Sequence, residues 1–393
     1  MKLRLPLILG LAVALNASAR TPTAVPPVKG PVPAATPAAP VAGPPVVAAR
    51  TWVLVDFATG QALAENNADQ RIEPASLTKL MTAYVVFCAL RDGRLKMNEA
   101  VPISEHAWRA EGSRTFVQVG TSVPVDVLIK GMIVQSGNDA TIALAERVGG
   151  SESAFVQLMN AYAQRLGMRG THFEDSSGLP SPNHYSTARD LATLSRAIIR
   201  EFPQYYGIYA MREFTWNKIR QENRNGLLEH DPTVDGLKTG HTDTAGYCLV
   251  SSALRSGMRL VSVVLGSPSV QARETGSAAL LNYGFTFYET VTVKKAGEMV
   301  LKPRVYKGSE KFIDVAPATA VQVTVPRGQA MTVTSHAYVR EPLIAPLAAG
   351  AAVGQLQVSA AGRPIATASL YPVSAVAEGG LWRRLIDTIS LWL

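Results

Sequence analysis

Apolar residues near the start of the folded part follow two different periods. Residues 51–57 and 61–64 are rich in apolar side chains on either side of an Ala-Thr-Gly turn, which predicts a hairpin of two strands. The next apolar positions recur at helical spacing: Leu77, Leu80, Met81, Tyr84, Val85 and Cys88. We therefore expect a helix whose first turn begins near Ser76 and which ends near Gly93.

The middle of the chain alternates periodic stretches with short polar interruptions. Helices are predicted over residues 126–135, 140–148, 191–199 and 272–287, and strands over residues 234–242, 246–253 and 259–265. The stretch Ser136-Gly137-Asn138 breaks the first helix, and Asp139 is predicted to cap the second. Residues 173–190 are rich in Ser, Gly, Pro and Asn, which predicts a loop, with Thr187 as the cap of the helix that follows.

The composition changes after about Thr290. Residues 291–375 contain short β-rich runs, such as residues 320–325 and 331–334, separated by Gly and Pro turns. This pattern predicts a small all-β domain of sandwich type, and no catalytic constellation occurs in its sequence.

The last segment, residues 379–393, has the period of an amphipathic helix. Its large apolar residues share one side: Leu381, Trp382, Leu385, Ile386, Ile389 and Trp392. The polar residues occupy the other side: Arg383, Arg384, Asp387 and Ser390. The segment is too short to span a bilayer, so we expect it to lie in the membrane interface with its arginines toward phosphate. A final helix docked on the protein's own core is the alternative.

The N-terminal part has the pattern of a secreted protein. In residues 1–19 two basic residues precede an apolar run and the small-residue site Ala17-Ser18-Ala19, which predicts a signal peptide. A transmembrane anchor is the alternative, but the run is shorter than the ~20 apolar residues needed to span a bilayer. Residues 20–49 are mostly Pro, Ala, Val and Gly and predict an extended tether before a folded domain over residues 50–290.

Composition and charge exclude several classes of function. The chain has 393 residues, of which 47% are hydrophobic and 17% charged, so it can bury a sizeable core. Its net charge of +8 could draw it to anionic lipid or cell-wall polymer, although solubility alone explains such a charge. Lysine and arginine do not cluster among aromatic residues, so we expect no nucleic-acid partner.

Histidine and cysteine usage excludes further chemistry. The six histidines lack metal-ligand spacing, so we expect no metal and no cofactor. Cys88 and Cys248 lie in apolar runs and are expected to be buried thiols, with a disulfide as the alternative.

Ser76 and Lys79 are the first candidate catalytic pair. Residues three apart face the same way on a helix, so the Lys79 amine can reach the Ser76 hydroxyl. A serine becomes a nucleophile when a base takes its proton, and a lysine serves as that base when its pKa is lowered. Such a pair also occurs by chance on solvated helices, so the spacing alone does not decide the question.

Two further stretches turn this pair into a three-part pattern. Ser136-Gly137-Asn138 and Lys238-Thr239-Gly240 follow in the order and spacing found in penicillin-binding proteins and class A β-lactamases. From about Thr51 to the end, including the β domain and the amphipathic tail, the chain resembles the low-molecular-mass penicillin-binding proteins that are membrane-anchored serine D-alanyl-D-alanine carboxypeptidases. The glycine in Ser-Gly-Asn is usual in these peptidases.

The resemblance implies a fold and a cellular place. The fold is a transpeptidase-like α/β (α+β) domain, with an antiparallel sheet and a helical subdomain, then a small all-β domain and a C-terminal amphipathic helix. The resemblance implies an enzyme in the periplasm, attached peripherally to the outer face of the cytoplasmic membrane. Its partners would be peptidoglycan stem peptides ending in D-Ala-D-Ala, β-lactam antibiotics and the membrane surface.

The resemblance also implies residue roles. Ser76 would attack the carbonyl of the penultimate D-alanine, Lys79 would accept its proton, and Ser136 would pass protons toward the leaving amine. The remaining implied residues bind the substrate: Asn138 its amide, Lys238, Thr239 and Arg273 its carboxylate, and the N–H groups of Ser76 and His241 the oxyanion. Gly240 would let the ligand lie against the backbone beside the Lys238 ammonium.

Alternatives remain open at this point. A D,D-endopeptidase or a β-lactamase could use the same scaffold, although we identify no dedicated base for fast deacylation in the sequence. A catalytically silent cell-wall binding protein would require a broken motif, and all three motifs are intact.

Overall fold

Strands form two separate groups in the chain. The computed structural model describes residues 41–392, so the predicted signal peptide and most of the predicted tether lie outside the described residues. The strands are β1 Thr51–Asp56, β2 Ala62–Asn66, β3 Ala100–Pro102, β4 Ser122–Pro124, β5 Glu213–Trp216, β6 Ile219–Glu222, β7 Val234–Thr242, β8 Gly246–Arg255, β9 Met258–Ser267, β10 Tyr288–Lys294, β11 Val305–Tyr306, β12 Val315–Pro317, β13 Val321–Pro326, β14 Val333–Val339, β15 Leu343–Ile344, β16 Gly354–Ala360 and β17 Arg363–Pro372.

Most helices lie in the chain between β2 and β7 of the first group of strands. They are α1 Lys79–Arg91, α2 Glu105–Trp108, α3 Val125–Lys130, α4 Asn138–Gly149, α5 Glu152–Arg165, α6 Ala188–Glu201, α7 Pro203–Tyr206, α8 Leu227–His230, α9 Val270–Phe287 and α10 Leu381–Trp392. Three 3-10 turns, Ala75–Thr78, Gly207–Ala210 and Ala330–Thr332, and one π-helical turn, Gly131–Gln135, complete these elements among residues 41–392.

The domain predicted over residues 50–290, called the catalytic domain after its predicted role, is organised around one antiparallel sheet. Its strand order is β2-β1-β9-β8-β7. Alternate residues of β1 belong to different cores: Val53 and Val55 pack with α1 and α6, whereas Trp52 and Leu54 pack with α9. Because side chains of a strand point to opposite faces in turn, helices cover both faces of the sheet.

Helix α1 lies at the centre of the helical subdomain. Every residue from Lys79 to Leu90 is buried, and the helix packs with α3, α4, α5 and α6 in one continuous core. A helix that is apolar on all sides is stable only when it is surrounded in this way. Lys79, the charged residue at its start, is therefore buried with the rest of the helix.

The second group of strands forms the predicted β domain with a core of its own. A four-stranded sheet in the order β12-β17-β16-β14 packs with the β10-β13 pair around residues such as Val323, Leu356 and Val358. Side-chain contacts join this domain to the catalytic domain: Thr59 Oγ1 lies 2.8 Å from Thr324 Oγ1, Thr290 Oγ1 donates to Asp56 Oδ2 at 2.5 Å, and Arg327 donates to Phe285 O at 2.7 Å. The predicted succession of an α/β domain and a β-rich domain is confirmed.

Helix α10 docks on the β domain through its polar side. The buried Asp387 carboxylate accepts a hydrogen bond from Lys307 N at 2.6 Å and pairs with Arg304 at 3.1 Å. Its large apolar side chains are exposed: Leu381, Trp382, Leu385, Ile386, Ile389 and Trp392. Arg383 donates to Ser309 O and Arg384 pairs with Glu378, so both arginines make protein contacts instead of standing free for phosphate. No helix within residues 41–392 combines the length and the apolar run needed to cross a bilayer.

Local details differ from the sequence predictions. The N-cap of α4 is Gly137, so Asp139 does not occupy the predicted cap position; its carboxylate accepts from Ala140 N in the first turn of its own helix and from a neighbouring segment. Residues 330–332 form a 3-10 turn where a strand was predicted. Residues 41–49 of the predicted tether lie against the catalytic domain, since Val47 packs on its core and Ala42 O accepts from the Tyr283 hydroxyl.

Candidate active site

Ser76 and Lys79 meet at the junction between a 3-10 turn and α1. Ser76 lies in the turn Ala75–Thr78, and Lys79 begins the α-helix. The Lys79 Nζ atom lies 3.0 Å from Ser76 Oγ and donates to Ser177 O at 2.6 Å. Burial lowers the pKa of the Lys79 ammonium to about 7, against the opposing charge of Asp175 and with help from Arg224. Near neutral pH a large fraction of Lys79 is therefore a neutral amine that can accept a proton.

The Ser76 turn is held in an uncommon backbone shape by close contacts on two sides. Ala75 has a φ of 48°, a region that side-chain-bearing residues rarely occupy. A Cβ on Gly178 would lie 1.8 Å from Ala75 O, and one on Gly240 would lie 3.0 Å from Pro74 O. Glycine is therefore required at position 178, and a side chain at position 240 would crowd the backbone of the turn. The sequence explained Gly240 by a ligand that lies against its backbone. The structure adds a second reason, which is the close approach of the Ser76 turn.

Ser136 enters the site from the end of a π-helical turn. It has a φ of 68°, in the left-handed region, directly after the turn Gly131–Gln135, and π turns are frequent at functional sites. Its Oγ is buried and has no hydrogen-bond partner among residues 41–392. A buried hydroxyl without a partner costs stability, so this atom is available for a ligand or a proton.

Asn138 is fixed on one side of its amide. Its Nδ2 donates to Glu111 O at 2.6 Å, whereas Oδ1 is buried without a partner in the described part of the chain. The neighbouring Asp139 carboxylate accepts from Thr115 N at 2.7 Å and Phe116 N at 2.8 Å. The Asp139 carboxylate therefore holds Thr115 and Phe116 beside the loop that carries Ser136.

Strand β7 forms the opposite wall. Lys238 is buried, and its Nζ donates to Thr239 O at 3.1 Å. Burial, together with the positive charges of Lys79, Arg224 and Arg273, holds the pKa of Lys238 well below its usual value. Because side chains alternate along a strand, Lys238 and Gly240 share the face that meets the Ser76 turn.

Arginine and aromatic side chains close the far end of the site. Arg273 from α9 is buried and donates to Gly240 O at 3.4 Å and to Arg224 O at 3.2 Å. Its guanidinium lies 5.8 Å from the centre of the Tyr247 ring, on which the exposed His241 ring stacks at 4.0 Å. Within residues 41–392, neither Lys238 nor Arg273 forms a salt bridge, so both side chains can pair with a carboxylate.

One cavity of about 630 Å³ connects these groups. Its lining includes Ser76, Ser136, Thr239, Gly240, His241 and Arg273. Lys79, Asn138 and Lys238 lie behind this lining, buried beside it. Sequence reasoning missed other lining residues: Gly112, Ser113, Arg224, Tyr247 and Val270. Arg224 and Tyr247 come from segments without a motif, and only the tertiary fold brings them to the cavity.

Comparison with known proteins identifies the enzyme family to which this chain belongs. A family model described as D-alanyl-D-alanine carboxypeptidase matches residues 38–269, and one described as penicillin-binding protein 5, C-terminal domain, matches residues 288–378. The chain belongs to the D-alanyl-D-alanine carboxypeptidase family. The carboxypeptidase is 44% identical over 355 residues to D-alanyl-D-alanine carboxypeptidase DacC of Escherichia coli, covering 88% of this chain and 89% of the relative.

Solved structures agree with this assignment. Penicillin-binding protein 5 of Haemophilus influenzae matches with a TM-score of 0.81 and 43% identity, covering 86% of this chain and 100% of that one. Penicillin-binding protein D2 of Listeria monocytogenes, in an ampicillin-bound form, matches with a TM-score of 0.57 and 33% identity, covering 61% of this chain and 98% of that one. The family, fold and serine carboxypeptidase activity predicted from the sequence are therefore confirmed.

Proposed function

We propose that the carboxypeptidase removes the terminal D-alanine from peptidoglycan stem peptides through an acyl-enzyme on Ser76. Lys79 takes the Ser76 proton, and Ser136 delivers a proton to the leaving D-alanine amine. The observation that carries this proposal is the buried Lys79 Nζ, 3.0 Å from Ser76 Oγ, with its pKa lowered to about 7. A base poised near the working pH is the most effective for proton transfer. Water then hydrolyses the acyl-enzyme.

The substrate is held by the two walls of the cavity. Lys238, Thr239 and Arg273 bind the terminal carboxylate, which supplies the negative charge that this end of the cavity lacks. Asn138 Oδ1, which has no partner among the described residues, accepts from the substrate amide. The backbone N–H groups of Ser76 and His241 stabilise the oxyanion. His241 acts by its position, since its ring is exposed on Tyr247.

β-Lactam antibiotics acylate the same serine. A β-lactam presents a strained amide where the D-Ala-D-Ala bond would lie, so attack by Ser76 leaves a covalent adduct. The ampicillin-bound form of the Listeria monocytogenes relative supports this extension. A labelled penicillin should mark one tryptic peptide of the wild type at Ser76, and Ser76→Ala should abolish the label. An adduct mapped to another residue would overturn the assignment.

Related activities are separated by kinetics. Turnover of a diacetyl-Lys-D-Ala-D-Ala substrate beside a penicillin, measured on the same preparation, distinguishes a carboxypeptidase from a β-lactamase. We expect rapid release of D-alanine and slow hydrolysis of penicillin. Fast turnover of penicillin would favour the β-lactamase, cleavage only of cross-linked peptides would favour the endopeptidase, and turnover of neither would favour a silent binding protein.

The C-terminal helix attaches the enzyme to the outer face of the cytoplasmic membrane, after the signal peptide has directed it to the periplasm. What supports this proposal is the orientation of α10, whose polar side is engaged by the β domain while Trp382, Ile386 and Trp392 are exposed. Apolar patches of this kind are rare on soluble surfaces unless a partner or a membrane covers them. The length of α10, 12 residues, suits a helix lying flat in the interface.

A further inference from the structure

A short loop behind Lys79 contacts the catalytic lysine directly. Ser177 O accepts a hydrogen bond from Lys79 Nζ at 2.6 Å, and the preceding carbonyl, Ser176 O, accepts from Thr82 Oγ1 at 2.6 Å. Lys79 and Thr82 are successive polar positions on one side of α1. The loop therefore supplies one of the two acceptors that fix the Lys79 amine, the other being Ser76 Oγ.

The shape of this loop depends on the Asp175 carboxylate. Its Oδ1 accepts from Ser177 N and from Gly178 N, both at 2.6 Å, and its Oδ2 accepts from Leu179 N at 3.1 Å. Burial would raise the pKa of Asp175, but the hydrogen bonds from His184 and the backbone outweigh it and hold the pKa at about 2. The loop is thus folded around a carboxylate that is ionised at neutral pH.

His184 connects this carboxylate to the Ser-x-x-Lys motif. Its side chain is fully buried, with Nδ1 3.3 Å from Asp175 Oδ2 and Nε2 2.8 Å from Thr78 Oγ1. Thr78 directly precedes Lys79 in the chain. The Phe173 ring meets the imidazole edge-on, with ring centres 5.7 Å apart, and fixes its plane. One side chain therefore joins the loop and the start of α1 through opposite ring atoms.

We propose that the partly buried Asp175 and the buried His184 form a pair that holds Ser177 O against Lys79 Nζ and thereby positions the amine for proton transfer from Ser76. Both are positioning residues, because they act through the loop and Thr78 and neither lines the substrate cavity. The inference rests on the proposed role of Lys79 as the base. Small displacements of a reacting group are costly, since a 1 Å misplacement can reduce a rate by about a hundredfold.

The charges around Lys79 allow the role of Asp175 and His184 to be tested through the pH dependence of the reaction. Asp175 and Asp139 oppose the lowering of the Lys79 pKa, while Arg224 and Lys238 face it with positive charge. Replacing Asp175 with asparagine removes one of the charges that stabilise the ammonium form, so the pKa of Lys79 falls further. The neutral amine is the active form, so the acid limb of kcat/KM should move to lower pH.

The test compares four variants by their pH profiles of penicillin acylation. Asp175→Asn should reduce the plateau rate about tenfold and shift the acid limb to lower pH, because the isosteric amide loses the charge and weakens the loop. His184→Ala should reduce the plateau rate at least as much, and His184→Gln should recover part of it by bridging Thr78 and Asp175. The matched control is His172→Ala, since the exposed His172 binds Asn183 O in the same region without touching α1.

Thermal unfolding and the covalent adduct stoichiometry separate positioning from misfolding. A variant that acylates slowly but completely, at one adduct per chain, has lost positioning and kept its fold. The inference is overturned if folded Asp175→Asn and His184→Ala acylate at the wild-type rate, or if Asp175→Asn leaves the acid limb in place. The proposed function fails separately, if Lys79→Ala acylates like the wild type or if the wild type has no acid limb.

Discussion

The catalytic domain buries cationic side chains, whereas the C-terminal helix exposes large apolar ones. Lys79, Lys238 and Arg273 are at most 5% exposed, while Trp382 and Trp392 of α10 are 79% and 88% exposed. Each region reverses the usual distribution of charge and hydrophobicity. Both arrangements cost stability or solubility, so each indicates a ligand or surface that compensates for it.

The two regions differ in what completes them. In the catalytic domain the fold lowers lysine pKa values by removing water, and a substrate carboxylate would restore charge balance. On α10 the fold does the opposite: it uses Asp387, Arg383 and Arg384 to hold the polar side and leaves the large apolar side chains exposed. Burial of charged side chains thus favours catalytic chemistry, and exposure of an apolar face favours binding to another surface.

The largest effect in the catalytic domain is expected from Lys79→Ala, which tests whether Lys79 is the general base. Removing a general base should slow acylation by every substrate roughly 10²–10⁴-fold. In the wild type, kcat/KM should rise with pH through about 7, because the neutral form of Lys79 accepts the proton. Stopped-flow acylation with penicillin measures both effects.

The matched control for this variant is Lys130→Ala. Lys130 pairs with Asp126 on the surface of α3, outside the cavity. We expect its acylation rate to equal that of the wild type. A Lys79→Ala enzyme that acylates as fast as this control would exclude Lys79 as the base.

The corresponding test of the C-terminal helix is a variant chain that ends at Glu378 and therefore lacks α10. Burial of two large apolar side chains at ~2 kcal/mol each corresponds to about a thousandfold in membrane partitioning. We expect this variant to stay at the bottom of a liposome flotation gradient and to turn over a small peptide like the full chain, because the site residues lie elsewhere. High salt should not release the full chain, since burial is not screened. Equal flotation of the two chains would remove the anchor, and a large loss of turnover would give α10 a supporting role in the catalytic fold.

The sequence was most informative where one local pattern determines the structure. The period of residues 234–242 predicted β7 with the bounds observed, and the apolar spacing after Ser76 predicted the fully buried α1. Thr187 was correctly predicted to cap α6, where its side chain accepts from Asp190 N. In these cases the local preference and the tertiary environment favour the same conformation.

Tertiary contacts determine what the sequence did not predict. Ala75 has a positive φ in a turn that Gly178 and Gly240, from distant parts of the chain, approach closely. Arg224 and Tyr247 reach the cavity from segments without a motif. The Asp139 carboxylate binds backbone N–H groups of residues 115–117 in addition to Ala140 N of its own helix, and the first set of contacts depends on a neighbouring loop.

Lys238→Ala separates two roles of the buried lysines, because it should weaken recognition of the substrate carboxylate and leave proton transfer by Lys79 intact. Loss of one hydrogen bond to a charged group costs ~1.5–3 kcal/mol, or roughly ten- to a hundredfold in kcat/KM. We expect that loss for a substrate with a free carboxylate and a much smaller one for the amidated analogue. Parallel kinetics on the two ligands measure the difference. If the amidated ligand lost as much as the free acid, the carboxylate role of Lys238 would be wrong.

The smallest expected effect concerns the attachment of α10 to the β domain. Asp387→Asn keeps the shape of the side chain but removes the charge that Lys307 N and Arg304 bind. A loss of about 1 kcal/mol should increase local opening of α10 about fivefold in hydrogen exchange, while flotation remains because the apolar side is unchanged. Thr388→Ala is the control, since Thr388 Oγ1 bonds only to Arg384 O of its own helix.

The pH dependence of this opening gives a second readout. The hydrogen bond from Lys307 N lowers the pKa of Asp387, burial opposes the change, and Arg304 adds to it. A carboxyl group whose pKa is lower in the docked state stabilises docking above its free value of about 3.9 and loses that contribution as pH falls through the docked value. Protection of α10 should therefore be constant from pH 8 to about 5 and fall below about 4 in the wild type, but not in Asp387→Asn. Identical profiles for the two chains would show that Asp387 does not hold the helix, and α10 would then owe its docking to the contacts of Arg383 and Arg384.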